Sequence, residues 1–516
     1  MTLSNFPKIA VGIDFNQDEC INWATVENVS EYVLSCDWQL GQTSGEDRMP
    51  SEGTATITLD NTSKLFSPEY TGSILHGAML ANLLVAIYIY DEQETEWVRM
   101  WVGYVDHYEP HPRGTAGDNQ TVVHCIQGLV KLNNASTFNY DMSLTDAYAD
   151  EIIERIFALN TWRAPLKGRP LIVGTGVVGD TLTSGVDSLV AVDSGVRRYP
   201  SAGPDWGNSS DAMRGALEDI ATTEQGYWLV NRDGELSFRS KAYLSTKKSS
   251  FDKVASTATS VKDMTYRFVN RITNIFETIY YPNAQVESIP IWTGHEDIRA
   301  NDSLNFTAVA QRDDGTNMTI ISLDEISLDI YANDNHDNVT DQIIQNYVIT
   351  PRGVEVSLNN PLDRDVRMHM QLSCKVLRKQ NGLSVKRLNL TKMAEVNEPI
   401  QTTYDLPMLP TRHSATRYAE YEDCVVSGAY GIVDSVVMPV KDNTSLNRIL
   451  VSTIESVLLV QDTHIGLTSE FYLITGERFT WNVGSLSAEY ILTKIENRPD
   501  VYLVGSSSLV GTATLL

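Results

Sequence analysis

The residues that could do chemistry in this sequence lie in short, isolated motifs. The segment GTGVVG, from Gly174 to Gly179, matches the GxGxxG pattern of dinucleotide-binding loops. That pattern holds a pyrophosphate only where a helix follows and presents its N-terminal N–H groups. Here the segment is followed by DTLTSGVDS, which is not a helical pattern, so we expect a glycine-rich loop and no nucleotide cofactor.

Residues that could bind metal ions are equally sparse. The stretch GHED gathers His295, Glu296 and Asp297, but the sequence contains no HExxH motif. NDNHDNVTD, which starts at Asn333, has oxygen ligands but lacks the loop glycine and closing glutamate of an EF-hand. The five cysteines never form a CxxC pair and are odd in number, so we expect buried free thiols. No metal site is therefore predicted.

Motifs for covalent catalysis are missing as well. SGAYG, around Ser427, is not the GxSxG of a nucleophile elbow. Scattered carboxylates could form an acid and base pair, but a sequence does not reveal their separation. We therefore expect no catalytic residues and no enzymatic activity.

Charge limits the partners that the chain can have. Of 516 residues, 66 are Asp or Glu and 40 are Lys or Arg, which gives a formal net charge of −26 at pH 7. Such a chain repels phosphate backbones, so a groove that grips nucleic acid is not expected. A channel through which DNA slides without adhering would benefit from the same charge, and acidity that only aids solubility is the alternative.

Length and hydrophobicity indicate several soluble domains. The chain is too long for one core and should divide into about three or four domains. No window holds the ~18 consecutive apolar residues of a membrane span. The start MTLSNFPKIAVGIDFNQDE lacks the basic and apolar regions of a signal peptide, so we expect synthesis in the cytoplasm.

The dominant pattern is that of β-strands. Residues 1–135 hold short alternating segments such as TATITLD and LLVAIYIYD, separated by Gly, Asp, Asn and Pro turns, which favours a barrel or sandwich. Helical spacing in DEIIERIFALN and AMRGALEDIATTE, followed by the hairpin pattern YWLVNRDGELSFRS, predicts a small α+β domain over residues 140–245. Residues 298–385 resemble a sandwich of short strands, and HSATRYAEYEDCVVSGAY predicts a third helix.

The order of strands near the N-terminus recurs near the C-terminus. LLVAIYIYD, VRMWVGYVDHYEP and QTVVHCIQG are matched in order by STIESVLLVQD, SEFYLITGERFTW and SAEYILTKIEN. This internal repeat predicts that the chain holds the same barrel twice.

Several segments resemble one known family. EGTATITLDNTSKLFSPEY, followed by LLVAIYIYD and MWVGYVDHYEP, is similar to the N-terminal part of hub-type tail proteins of long-tailed bacteriophages and related contractile injection systems. DEIIERIFALN, AMRGALEDIATTEQGYWLVNRDGELSFRS and IGLTSEFYLITGERFTWNVGSLSAEYILTKIE look like the middle and last segments of that family in the same order. RGVEVSLNNPLDRDVRMHMQLSCKVLRKQ is similar to a strand-rich insert of many members. The acidic loop DEQETE and the long span between TIYYP and SLNRIL depart from the family pattern.

The resemblance implies a mainly β fold with a small α+β domain, two tail-tube-like antiparallel β-barrels and a β-sandwich-like insert. The predicted domains are a first tube-like barrel (1–139), the α+β domain (140–245), a split second tube-like barrel (246–297 and 440–500), and the insert with its connecting helix (298–439).

The function implied by the resemblance is structural. A ring-forming hub of the tail tip or baseplate would close the tail tube, carry the distal tip or fibres and let genomic DNA pass. Its partners would be copies of itself, the tail tube or distal tail protein, the tape-measure protein and tip or fibre proteins, with no membrane anchor. It would reside in the virion, at the distal end of the tail.

Two surfaces are candidates for contacts in such an assembly. In LFSPEY, Leu65, Phe66 and Pro68 form a stiff apolar corner that would face a neighbouring subunit, or latch the fold internally. Residues 375–392 contain basic side chains and no acidic ones, and would dock an acidic neighbour or form a solvated face. The residues of this basic strip are Lys375, Arg378, Lys379, Lys386, Arg387 and Lys392.

Threefold symmetry follows if each chain supplies two barrels. Three chains would then present six barrels, which matches a sixfold tail tube above a threefold tip. The acidic excess should concentrate on the wall of the channel. The alternatives are a hexameric distal tail ring, or a tail module in which the insert binds a receptor or carbohydrate.

Overall fold

The structure is a computed structural model that describes most of the chain. The described residues are 7–18, 21–45, 47–111, 119–129, 147–159, 189–195, 198–199, 213–240, 255–256, 262–270, 273–282, 285–311, 318–333, 336–350, 353–378, 381–406, 409–426, 429–462 and 466–495. The GTGVVG segment, Ser427 and Lys379 lie outside them. Among these residues, no helix is long and apolar enough to cross a membrane.

Strands dominate the order of elements. The first part of the chain contains β1 (Ile9–Ile13), β2 (Val33–Gly41), β3 (Thr54–Asp60), β4 (Leu84–Asp91), β5 (Glu96–His111), β6 (Gln120–Ile126), β7 (Ala147–Tyr148), α1 (Ala149–Leu159), β8 (Leu189–Val192), β9 (Arg198–Tyr199), α2 (Met213–Glu224), β10 (Tyr227–Val230), β11 (Leu236–Arg239), β12 (Ala255–Ser256) and β13 (Asp263–Asn270).

The second part contains β14 (Ile275–Tyr280), β15 (Gln285–Ile298), β16 (Ser303–Val309), β17 (Thr319–Ala332), β18 (Ile344–Thr350), β19 (Gly353–Asn359), β20 (Val366–Arg378), β21 (Leu383–Leu388), α3 (Leu390–Val396), β22 (Gln401–Leu406), α4 (Arg412–Val426), β23 (Ala429–Pro439), α5 (Asn443–Val451), β24 (Val457–Asp462), β25 (Leu467–Asn482) and β26 (Ser485–Lys494). The fold class, mainly β with a small α+β part, is confirmed.

One twelve-stranded sheet contains both halves of the predicted repeat. Its strands follow the order β1-β4-β5-β6-β3-β2-β25-β26-β23-β13, with β24 and β12 branching from β25. Period-two alternation builds it: in β3, Ala55, Ile57 and Leu59 are buried, whereas the threonines between them are half-buried or exposed. At β3 the sheet therefore has one apolar face and one polar face, whereas β1 and β4 are buried on both faces.

The internal repeat is visible in the strand pairing. β5 pairs with β4 along its first half and with β6 along its second half, and β25 is shared in the same way by β24 and β26. Each long strand contains a register shift where it passes from one partner to the other. The order β2-β3-β6-β5 in the first half thus corresponds to β13-β23-β26-β25 in the second.

The two halves meet where β2 pairs with β25. The pairing is antiparallel and runs from Ser35 opposite Asn482 to Gly41 opposite Gly476. Gly41 has a positive φ of 83°, and a Cβ atom there would collide with the carbonyl oxygen of Thr475. Glycine is needed because the chain turns there at close backbone approach to the second half.

The small α+β domain packs on the sheet as part of one core. The buried side chains of that core run from Ile9 in β1 to Leu492 in β26 and include Ile153 of α1 and Leu217 of α2. Helical spacing explains this burial, because residues three or four apart share a helix face. We call this unit, the main sheet with the α+β domain, the body.

The insert is a sandwich with a core of its own. The sheet β15-β20-β17 packs on the sheet β16-β19-β18 around buried side chains that lie between Ile298 and Val376. A third sheet, β21-β14-β22, connects insert and body and is covered by α4. The insert leaves this connector between β14 and β21, whose ends are paired at Tyr280 and Leu383.

Strand pairing moves the predicted domain boundaries. β15 pairs with β20, so its residues belong to the insert and not to the second half of the main sheet. β14 belongs to the connector. β23 pairs with β13 and β26, so residues 429–439 belong to the main sheet although the sequence assigned them to the insert. The chain crosses between units in the short segments that connect consecutive strands, such as the one between β14 and β15.

The described thiols are buried and free, as the sequence predicted. Cys36, Cys125 and Cys374 have no disulfide partner. Burial raises the pKa of the Cys374 thiol to about 11, so this side chain stays protonated and unreactive at neutral pH. Cys20 and the side chain of Cys424 lie outside the described part of the chain.

Candidate functional site

The polar face of the main sheet crosses both halves without interruption. Register places the side chains of this face side by side along the run β5-β6-β3-β2-β25-β26-β23-β13. Hydroxyl, amide and a few acidic groups prevail, for example Thr54, Thr56, Asp37, Thr480 and Ser487. We call this surface the polar face.

Positive charge on the polar face is partly neutralised within the chain. Arg478 donates to Glu489 at 3.1 Å and also lies 3.4 Å from the side-chain oxygen of Gln39. At the far end, Arg267 of β13 forms an ion pair with Asp434 at 2.8 Å. These two arginines therefore add little net positive charge to the polar face, and an acidic channel wall stays a prediction.

One end of the sheet is open at β13. Among the described residues, β13 has β23 as its only strand neighbour. Met264 and Tyr266 pack against the body core, whereas Phe268, two residues further on the same face, is 65% exposed. The core side of the sheet is therefore left largely uncovered at this end of β13.

A second open edge lies on the last part of β5. β4 follows β5 only as far as Tyr104, and β6 occupies the other side of residues 104–111. Residues 106–111 therefore have no strand on the β4 side within the described part of the chain. The first strand, β1, is different, because Val29 and Ser30 hydrogen-bond to its free side at Val11.

The two open edges are the counterparts of the two strands that join inside the chain. In the repeat, β13 corresponds to β2 and β5 corresponds to β25. Since β2 and β25 pair with each other, the open edges of β13 and of the last part of β5 are complementary in the same way.

A buried ion pair fixes the α+β domain to the second half of the sheet. Arg232, in the hairpin between β10 and β11, donates to Glu477 of β25 at 2.9 Å, and both side chains are almost fully buried. The same guanidinium donates to the carbonyl oxygens of Leu450, at 2.8 Å, and Ser452, at 2.9 Å. Burial raises the pKa of the Glu477 carboxyl, and Arg232 opposes that shift.

The chain is similar to bacteriophage tail proteins. The 43 kDa tail protein of prophage MuSo2 from Shewanella oneidensis matches with a TM-score of 0.47 and 10% identity, over 95% of this chain and 98% of that one. The tail protein from Neisseria meningitidis MC58 matches with a TM-score of 0.46 and 8% identity, over 94% and 96%. Prophage tail protein gp18 from Listeria monocytogenes EGD-e matches with a TM-score of 0.39 and 6% identity, over 94% of each chain.

Likeness at this level establishes neither a family nor a function. No protein-family model matches the sequence, and no curated protein matches it. The contacts of the chain itself therefore have to carry any functional argument.

The apolar corner predicted at residues 65–68 is held by its own chain. Phe66 is fully buried and packs edge-on against Tyr32 at 5.2 Å between ring centroids. Asn61 accepts from the backbone N–H of Phe66 at 2.9 Å, and Thr121 donates to the Phe66 carbonyl at 2.9 Å. The internal latch, which was the alternative interpretation, accounts for Phe66.

The other two residues of the corner are half-buried. Ser73 donates to the carbonyl oxygen of Leu65 at 2.6 Å, and the Nδ1 atom of His76 lies 3.0 Å from that of Pro68. A subunit contact through Leu65 and Pro68 stays a prediction.

The basic strip is divided between two sheets and a helix. Lys375 lies on β20 in the insert, Lys386 and Arg387 on β21 in the connector, and Lys392 on α3. Each has an acidic neighbour in the chain, which is Asp324, Glu277, Asp423 and Glu395 respectively. The side chain of Arg378 and all of Lys379 lie outside the described residues. The described members of the strip therefore lie on three separate elements, and docking through the strip stays a prediction.

Sequence reasoning missed the open edges and the buried ion pair. The edges depend on which strands pair, and pairing between residues more than 400 positions apart leaves no local pattern. The arginine had a weak signal, since Arg232 precedes Asp-Gly in the predicted hairpin and a long cation at a hairpin tip can reach a neighbouring element.

Proposed function

We propose that the chain is a structural component of a phage-type tail tip, a ring-forming hub whose copies join edge to edge through β13 and the last part of β5. The observation that carries the proposal is the joint between β2 and β25 together with the repeat. A chain that already uses this joint once, internally, leaves the equivalent pair of strands open at its two ends. Head-to-tail joints of this kind close into rings when the rotation allows it.

The internal joint also predicts the register of the joint between chains. Each long strand has a register shift, and the first residue pair after the shift can be used to align the two halves. This pair is His107 opposite His124 in the first half and Gly476 opposite Ile491 in the second. Thr480 lies four residues beyond Gly476, and His111 lies four residues beyond His107. Thr480 and His111 are therefore equivalent positions.

The same reference fixes the partner on the other strand. In the first half, His124 lies opposite Thr56, and Thr56 lies opposite Asp37 on the next strand. In the second half, Ile491 lies opposite Ser435, and Ser435 lies opposite Thr265 on the next strand. Because Asp37 pairs with Thr480 inside the chain, we expect Thr265 of one chain to pair with His111 of the next.

Joining these edges would cover the exposed aromatic side chain. By the same register Phe268 meets Tyr108, which lies on the core side of β5 and packs against the body core. Edge pairing also removes strand edges that otherwise invite aggregation. The polar face would then form one continuous wall.

A wall of this composition suits the passage of DNA. Nucleic acid adheres where cations neutralise phosphates and release counterions. Arg478 and Arg267 each lie against an acidic side chain, so few phosphates would be held. We propose three chains per ring, with the tail tube or distal tail protein, the tape-measure protein and tip or fibre proteins as neighbours.

The proposal is tested first by breaking the joint. Phe268→Asp places a charge in the contact that we propose, so we expect rings of the wild-type protein to dissociate into single chains, seen by mass photometry and negative-stain imaging. Ile344→Asp is the matched control, because Ile344 is 60% exposed on β18, an edge strand of the insert. This control should still form rings, and equal melting temperatures would show that both variants fold.

A second experiment tests the register. In the double variant Thr265→Cys and His111→Cys, oxidation should link neighbouring chains into a closed species of three. The single variants, and Thr265→Cys combined with His107→Cys, should link far less. A wild-type chain that stays single at all concentrations would reject the ring, and a closed species of six chains would favour the distal tail ring.

The insert supports a second role for the same protein. Ile344 and Val348 share one face of β18, are apolar, and are 60% and 46% exposed. Such a surface fits a protein partner better than a carbohydrate, which favours the attachment of a fibre or tip protein to the insert over a glycan-binding role.

A further inference from the structure

Three histidines and a glutamate converge on the polar face of the β5–β6 hairpin. His107, Glu109 and His111 alternate along β5, and His124 lies opposite His107 on β6. Period-two alternation puts all four side chains on one side of the sheet. His107 and His124 stack with 4.3 Å between ring centroids, and His124 Nε2 lies 3.2 Å from a carboxylate oxygen of Glu109.

The spacing of the donor atoms suits a metal ion. The ligand atoms of His107, Glu109 and His124 all lie within 4.8 Å of one another. A tetrahedral zinc ion with bonds of about 2.0–2.1 Å separates its ligand atoms by roughly 3.3 Å. These side chains are half-exposed or exposed, so small rotations close the remaining distance without moving the strands.

A neighbouring carboxylate orients the first histidine. Asp106 accepts from, or shares a proton with, the Nδ1 atom of His107 at 2.7 Å. In metal sites, a carboxylate on one ring nitrogen fixes the tautomer and leaves the other nitrogen free to bind. His111 Nε2 lies 3.6 Å from the second oxygen of Glu109, which places a fourth donor beside the cluster.

We propose that His107, Glu109 and His124 form a binding site for a divalent transition-metal ion, with Asp106 as the positioning residue of His107. Two imidazoles and one carboxylate suit zinc, and also cobalt, nickel or copper, better than calcium or magnesium. A bound ion would cross-link β5 and β6 beside the open edge of β5. It departs from our expectation, from the sequence, that no metal site exists, because that expectation relied on motifs in helices and loops and not on alternation in a strand.

The insert supplies a matched comparison. His295 and His369 are also exposed, opposite each other on adjacent strands, with 5.8 Å between ring centroids. Among the described residues, only the cluster on β5 and β6 brings three donors within reach of one ion. His295 and His369 therefore serve as a control for two exposed histidines that have no third donor, among the described residues, within reach of the same ion.

The test is a competition titration of the untagged full-length protein with Zn²⁺ and a chromophoric chelator. We expect one saturable site per chain, with affinity lowered at least about tenfold in His107→Ala and in His124→Ala. Asp106→Asn should lower it by about 10–100-fold, as expected for loss of an orienting carboxylate. His295→Ala and His369→Ala should leave the affinity unchanged.

Binding by the folded protein should also raise its melting temperature, with an increase that grows with the logarithm of the free ion concentration once this exceeds the dissociation constant and that EDTA reverses. Repeating the titration on Phe268→Asp separates this proposal from ring formation, since the site lies within one chain. The proposal is overturned if no saturable binding occurs, if His107→Ala and His124→Ala bind as the wild type does, or if His295→Ala weakens binding equally.

Discussion

The body and the insert differ in how their cores are built from the chain. The core of the body gathers side chains from β1 through β26, which are separated by most of the sequence. Among the described residues, the fully buried core of the insert lies between Ile298 and Val376, and Ile289, Ile291 and Trp292 pack against it. One unit therefore depends on the whole chain, whereas the other is made from a single continuous segment. The difference indicates that the insert can vary or be lost while the open edges of β13 and β5 stay intact.

The largest expected effect comes from removing the insert. Tyr280 of β14 pairs with Leu383 of β21, so the strands on both sides of the insert already form a hairpin. Replacing residues 282–381 by Asn-Gly supplies the two-residue turn that such a hairpin prefers. In calorimetry, we expect one of two unfolding transitions to disappear, because each unit has its own core.

The remaining transition, that of the body, should shift by less than about 4 °C, the change that roughly 1 kcal/mol causes in a domain of ordinary size. Ring formation should persist, since β13 and β5 lie outside the deleted segment. A deletion variant that fails to fold would show that body and insert are one cooperative unit.

The next effect is on the body alone. Arg232→Met leaves Glu477 buried without its partner, which should lower the free energy of unfolding of the body by about 3–5 kcal/mol. The insert transition should not move, because Arg232 contacts only body residues in the hydrogen bonds that hold it. Calorimetry of the full chain measures both transitions in one scan.

The stability loss in Arg232→Met should depend on pH through the carboxyl group of Glu477. Burial raises the pKa of Glu477 above its value in the unfolded chain, and removing Arg232 raises it further. A raised carboxyl pKa destabilises the folded state above that pKa and ceases to do so as the group is protonated. The loss of unfolding free energy in Arg232→Met should therefore shrink as the pH falls.

The double variant Arg232→Met and Glu477→Leu should recover much of the lost unfolding free energy. If the double variant is as unstable as Arg232→Met, lost packing is the cause.

The same comparison explains what the sequence could predict. Alternation in TATITLD and the spacing of DEIIERIFALN gave β3 and α1 because such patterns are local. The order of strands in the repeat was confirmed for the same reason. The joint between β2 and β25, the place of β23 in the main sheet and the Arg232–Glu477 pair depend on contacts between distant residues, and no local pattern encodes them. The cluster around His107 could have been predicted in part, because His107, Glu109 and His111 in the segment DHYEPH are two residues apart and lie on one face of a strand.

The smallest expected effect is on an ion pair of the same chemistry in the insert. Arg367 donates to both carboxylate oxygens of Asp297, at 2.7 and 2.9 Å, but these side chains are 52% and 54% exposed. Water screens such a pair, so Arg367→Gln should lower the melting temperature of the insert only slightly at neutral pH, and less at high salt.

The hydrogen bond from Arg367 holds the pKa of Asp297 below its usual value. A lowered carboxyl pKa stabilises the fold above the unfolded-state value of about 3.9, and that stabilisation is lost as the pH falls through the folded-state value. The difference between the wild type and Arg367→Gln should thus vanish in strong acid, whereas the deficit of Arg232→Met should already shrink at higher pH, because burial raises the pKa of Glu477 above its unfolded-state value. A loss in the insert as large as that of Arg232→Met in the body would contradict the view that burial, and not geometry, separates the two pairs.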